Sequence, residues 1–138
     1  MVSYFDSSFV LNMIFHESNS DENLKTWKMA KNRFSSILLK FECLNTVRKA
    51  LPQCKDDDER SKLLSNFKQF MDEINFKNIE STLFDQFSLK NDFSSLRTLD
   101  MIHAITALEL KKEFGDIILQ TFDKRMREVC ESLSLKIS

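Results

Sequence analysis

The chain predicts an α/β sandwich: three layers, α/β/α, around a small, mostly parallel central sheet. Three observations carry that prediction. Short apolar runs recur along the chain, and each gives way at once to apolar residues at helical spacing, the rhythm of strand–helix units. One run, Ile117–Phe122, is apolar without alternation, as in a strand covered on both faces. A long helical stretch from Leu96 to Leu108 is apolar on most sides, as a helix in the middle of a domain must be.

The 138 residues are expected to form a single domain, 1–138. A hydrophobic share of 42% and a charged share of 30% are ordinary for a soluble globular protein. The formal net charge of −1 gives no bulk pull toward nucleic acid or membrane, so any such contact needs a local patch. No run is long enough to span a bilayer, and the start has no basic leader followed by an apolar stretch. A cytoplasmic protein without membrane contact is expected. Cys43, Cys54 and Cys130 are an odd set without metal-ligand spacing, which fits reduced thiols, with Cys43 and Cys130 in the core. Gly115 is the only glycine and Pro52 the only proline, so most turns must fall to Asn, Asp, Ser and Lys.

In chain order, Val2–Phe5 reads as a buried strand that ends at Asp6, and Phe9, Val10, Met13 and Ile14 follow at helical spacing. Asp6 or Ser8 has the chemistry of a helix cap. Ser20 is the expected cap of a helix carrying Leu24, Trp27, Ala30 and Phe34. Its other face holds Lys25, Lys28, Lys31 and Arg33, which form either a solvated face or a phosphate contact. Ser35–Leu39 reads as a second strand, and Phe41, Leu44, Val47 and Leu51 as the apolar face of the next helix, with Glu42 off that face. The aspartates at 56–58 point in different directions on a helix start and are assigned to the surface. Leu63, Leu64, Phe67, Phe70, Met71 and Ile74 make a strongly amphipathic helix. Phe76–Ile79 reads as a short strand, Leu83, Phe84 and Phe87 as a short helix, and Asn91–Ser95 as a loop. The helix carrying Asp100 runs through Glu113, and Gly115 is its expected C-cap. Asp123 closes the Ile117–Phe122 strand. Met126, Val129, Cys130 and Leu133 form a last helix, and Leu135–Ile137 a final strand.

Four acids share one local setting. Asp6 and Asp123 follow strands, Glu42 opens the helix after the second strand, and Asp100 sits in the first turn of the buried helix. Each has a bland reading as a cap or a dipole partner. In a parallel sheet, however, these junctions fall on one edge, where ligands bind. Carboxylates gathered there raise one another's pKa unless a cation sits among them. Oxygen-only ligands suit Mg²⁺ or Mn²⁺, and the lack of a Cys/His set argues against zinc.

The blocks Tyr4-Phe5-Asp6-Ser7-Ser8, Phe41-Glu42, Leu96–Ala104 (LRTLDMIHA) and Thr121–Met126 (TFDKRM) resemble the four signature blocks of the PIN domain. They are most similar to those of VapC-type toxins from bacterial and archaeal toxin–antitoxin pairs. The resemblance departs at Met101 and Ile105, where small residues are commoner. The span from Pro52 to Asn91 matches only in helical rhythm.

This resemblance implies a metal-dependent endoribonuclease hydrolysing RNA phosphodiester bonds. Asp6, Glu42, Asp100 and Asp123 match the acidic cluster, with Asp6, Asp100 and Glu42 holding Mg²⁺ or Mn²⁺ that activates water for in-line attack. A second ion, near Asp123 or brought by the substrate, steadies the leaving oxygen. Ser8 and Thr121 support the acids, with Ser7 a weaker candidate. His103 is read as a packed supporting residue rather than a general base. Arg97, Lys124 and Arg125 are either phosphate contacts or solvated charges. A cognate antitoxin and a homodimer are further implications. The competing readings are a catalytically silent PIN-like module that binds RNA or protein, and a helical scaffold whose acids are caps. In the enzyme, alanine at Asp6 or Asp100 is expected to abolish cleavage and leave stability unchanged or raised, because repulsion is relieved.

Overall fold

The computed structural model describes residues 2–87 and 93–137, leaving aside the side chains of Phe84, Gln86 and Phe87. Part of the expected Asn91–Ser95 loop lies outside them. The order is β1 (Val2–Phe5), α1 (Ser7–Ile14), α2 (Ser20–Met29), β2 (Asn32–Ser36), α3 (Ile37–Ala50), α4 (Asp57–Asp72), β3 (Asn75–Lys77), α5 (Ser81–Phe87), α6 (Thr98–Phe114), β4 (Ile117–Gln120), α7 (Lys124–Ser132) and β5 (Lys136–Ile137). A single turn of 3-10 helix, Leu51–Gln53, with Pro52 in its first turn, links α3 to α4.

The five strands pair in parallel throughout, in the order β3-β2-β1-β4-β5. Successive side chains on a strand point to opposite faces. On β1, Tyr4 therefore joins one core with α6, β4 and α7, around Ala104, Leu110, Leu119 and Met126. Phe5 joins the other, with α1 to α4, around Phe9, Trp27, Leu39, Cys43 and Phe70. Helices cover both faces, which is the expected three-layer arrangement. The central strands carry few charges because both of their faces are dry. No described helix is long and apolar enough to cross a membrane.

Several boundaries move, each for a local reason. The second strand is Asn32–Ser36 rather than Ser35–Leu39, because the Ser36 hydroxyl accepts from Leu38 N at 3.2 Å and starts α3 at Ile37. Leu39 thus becomes helical, and the buried stripe of α3 is Leu39, Cys43 and Val47. Phe41 and Leu44, expected on that stripe, are exposed. Phe34 leaves α2 for β2, since α2 ends at Met29. The cap of α2 is Asn19, in a left-handed conformation at φ 67°, rather than Ser20. The strand expected to run to Phe122 stops at Gln120, and the strand expected at Phe76–Ile79 is Asn75–Lys77, with Ile79 exposed.

Other expectations hold. Gly115 caps α6 at φ 83°, a conformation that side chains resist, although nothing lies near its missing Cβ. Asp56 caps α4 through Glu59 N at 2.8 Å, while Asp57 and Asp58 pair on the surface with Arg60 and Lys62. From the basic stretch, Arg33 is taken into the fold. Its Nε donates to the Trp27 carbonyl at 2.8 Å and its guanidinium lies over the indole. Cys43 and Cys130 are buried free thiols, and burial pushes both up to about 12.

Candidate active site

The C-terminal ends of β1, β2 and β4 lie side by side, and the chain turns from each into a helix. Asp6 sits at the first of these turns. Its Oδ1 accepts from Phe9 N at 3.2 Å and from Ser8 Oγ at 2.6 Å, and its Oδ2 accepts from Thr121 Oγ1. Asp6 is only 3% exposed. Burial raises its pKa, and the donors from Ser8 and Thr121 oppose that shift. Asp6 is thus both the cap of α1 and a buried acid.

At the end of β4, Thr121 and Asp123 interlock with this first turn. Asp123 Oδ1 accepts from Met126 N at 2.9 Å and caps α7. Thr121 Oγ1 donates to Asp6 and accepts from Asp123 N at 3.0 Å. Ser8 Oγ donates to Asp6 and accepts from Phe122 N at 3.1 Å. Two hydroxyls therefore join the β1 and β4 turns. Phe122 is half-exposed and stacks on Phe9, with ring centroids 5.2 Å apart.

Glu42 lies in the second turn of α3, on the border of its buried stripe. Ser7 Oγ donates to its Oε2 at 3.2 Å, and His103 Nε2 lies 2.6 Å from its Oε1. His103 is 1% exposed, and its Nδ1 is 2.6 Å from the Tyr4 hydroxyl. Ser7 and Tyr4 therefore have larger parts than the sequence assigns. For Tyr4 a signal existed: a tyrosine inside a buried strand needs a partner for its hydroxyl.

Asp100 occupies the first turn of α6, one helical turn before His103. Its pKa is raised by burial first and then by the charge of Asp123; His103 opposes the shift, Glu42 adds to it and Arg97 opposes it. No hydrogen bond reaches its carboxylate among the described residues. Ser95, Arg97, Asp100, Asp123, Lys124 and Arg125 line an open cleft of about 320 Å³. A larger groove of about 500 Å³ lies at the far ends of α1 and α3, beside Ile14, Ala50 and Leu63. It contains none of the four acids, whereas Asp100 and Asp123 line the smaller cleft.

Three of the acids act on one another, since Asp123 and Glu42 both raise the Asp100 pKa. Asp6 and Glu42 share a neighbour in Tyr4, whose pKa is raised by burial and further by both of their charges. Their donors are hard oxygens, the chemistry that Mg²⁺ or Mn²⁺ selects. Among the described residues, no three His, Cys, Asp or Glu side chains stand close enough together to hold a metal ion as they are arranged. The cluster is therefore assembled by the fold without being closed into a ligand set.

The family model of the PIN domain matches residues 3–132. No curated protein matches the chain. Among solved structures, the chain is similar to the crystal structure of VapBC2 from Rickettsia felis bound to a DNA fragment from their promoter. The TM-score is 0.65 and the identity 12%, over 100% of this chain and 98% of that chain. At that identity the likeness is one of fold, and it agrees with the parallel sheet between two helical layers. The family match extends from β1 to α7 and takes in all four acids: the chain belongs to the PIN domain family.

Proposed function

We propose that the protein is a metal-dependent endoribonuclease and the toxin of a toxin–antitoxin pair. The observation that carries this reading is the convergence of Asp6, Glu42, Asp100 and Asp123 at one sheet edge, next to a cleft lined by Arg97, Lys124 and Arg125. Family membership and the fold shared with VapBC2 support it.

The four carboxylates would hold Mg²⁺ or Mn²⁺, with Asp6 and Glu42 already oriented by their hydrogen-bond donors. When bound, the ion supplies positive charge for the phosphodiester and acidifies the attacking water. The chain's own residues do the rest. Arg97, Lys124 and Arg125 bind the RNA backbone and place a phosphate over the acids. Ser8 and Thr121 hold Asp6 against the β4 turn. His103 does not serve as a base, because both of its ring nitrogens are engaged by Tyr4 and Glu42. A cognate antitoxin covers the acidic cleft, and the toxin forms a homodimer.

The second reading, a silent PIN-like module that binds RNA or protein, is favoured by one observation: no three described acid or histidine side chains are within reach of one ion. Purified protein incubated with total RNA separates the two. The nuclease reading expects discrete fragments with Mg²⁺ or Mn²⁺, none with EDTA, and none from Asp100→Asn. Folded, antitoxin-free protein that cuts nothing at any metal concentration would establish the silent module.

A further inference from the structure

We infer that Tyr4 and His103 are positioning residues that form a buried hydrogen-bond relay from the backbone of β2 to the Glu42 carboxylate. The inference rests on the nuclease reading, in which that carboxylate holds metal. The relay begins at Ser36, whose backbone N–H donates to the Tyr4 hydroxyl at 3.1 Å. The neighbouring Ser35 hydroxyl is turned to the Phe5 carbonyl at 2.7 Å. The phenol oxygen is 2.6 Å from His103 Nδ1, and in the relay it donates there. With Nδ1 accepting, Nε2 carries the hydrogen that points to Glu42 Oε1, also at 2.6 Å. Tyr4 and His103 are 0% and 1% exposed, and their rings meet edge-on with centroids 5.8 Å apart, so neither has room to turn away.

Packing alone does not call for this pair. Apolar side chains would seat α6 on β1 without desolvating a phenol and an imidazole. The relay instead delivers a donor to one oxygen of Glu42, while Ser7 supplies the other. Asp100 and His103 stand three residues apart on α6. One helix therefore presents an acid directly and fixes a second acid through its imidazole.

Nitrogen-15 NMR of the metal-free protein reads the relay without any activity. A protonated Nε2 and an accepting Nδ1 on His103 are expected; a bare Nε2 would overturn the inference. Mn²⁺ titration calorimetry supplies the functional arm. Loss of a residue that orients a metal ligand weakens binding by about 10- to 100-fold, and that loss is expected for His103→Leu. His103→Gln, whose amide keeps a donor, should recover most of it. Adding His103→Leu to Glu42→Gln should cost little more than either alone, because both act through one carboxylate. Equal Mn²⁺ affinity in wild type and His103→Leu would overturn the relay. If His103→Leu does not fold, Tyr4→Phe deletes one oxygen, and unchanged affinity there decides against the relay just as firmly. Failure of the wild type to bind Mn²⁺ would instead remove the nuclease reading, leaving the nitrogen spectrum to decide whether the relay exists.

Discussion

Asp6 and Asp100 belong to one acidic cluster but are held in opposite ways. Asp6 accepts from a backbone amide and two hydroxyls and caps a helix. Asp100 accepts from no described donor and has the charge of Asp123 beside it. Glu42 goes with Asp6, since Ser7 and His103 engage both of its oxygens. Asp123 falls between them, with one oxygen on Met126 N. The fold thus rigidifies the half of the site nearest the central strand and leaves the half on the α6 side under repulsion. A preformed, hydrogen-bonded carboxylate sets position, whereas one without a donor, beside a like charge, favours a cation.

The sharpest way to break this contrast is to delete each acid in the metal-free protein. Asp6→Ala removes a cap and leaves Ser8, Thr121 and the Phe9 amide without their acceptor. Urea unfolding should show a loss of about 1–2 kcal/mol. This revises the expectation from sequence that alanine at Asp6 leaves stability unchanged or raised. Asp100→Asn should be neutral or stabilising, within about 0.5 kcal/mol, because it removes repulsion and strands no donor. Equal losses at the two positions would erase the distinction.

Acid titration sharpens the same comparison with a smaller effect. Asp6 and Asp100 both have pKa values raised above 3.8 by burial. The folded state therefore binds more protons than the unfolded state just above that value. Their contribution to stability is fully present below pH 3.8 and is lost as pH rises through the folded values. Asp100→Asn should flatten the fall that Asp100 contributes. A fall of the same steepness in the variant would mean that the folded protein does not raise the Asp100 pKa.

The sequence made the rigid half legible, because its determinants are local. Asp6 follows an apolar run and precedes a helical one, Asp123 does the same, and Ser8 and Thr121 lie within two residues of them. The parallel sheet followed from strands placed between helices. What the sequence hid depends on contacts across the chain. Tyr4 and His103 are 99 residues apart, and nothing in either segment names the other. The buried face of α3 is ambiguous in the sequence because 41/44/47 and 39/43/47 both satisfy helical spacing. Only the Ser36 cap, by starting the helix at Ile37, selects the second stripe and leaves Phe41 exposed. The closeness of the acids was readable as a shared sheet edge, but their separation from a closed ligand set was not.

A divalent cation should complete the half of the site that lacks hydrogen-bond donors. Thermal unfolding with increasing Mg²⁺ or Mn²⁺ reads this without any activity, because a ligand bound only by the folded state raises the midpoint with its concentration. A rise of several degrees is expected in the wild type, reversed by EDTA and abolished in Asp100→Asn. A midpoint unmoved by either ion, or one that rises equally in Asp100→Asn, would mean that no cation completes this half of the site.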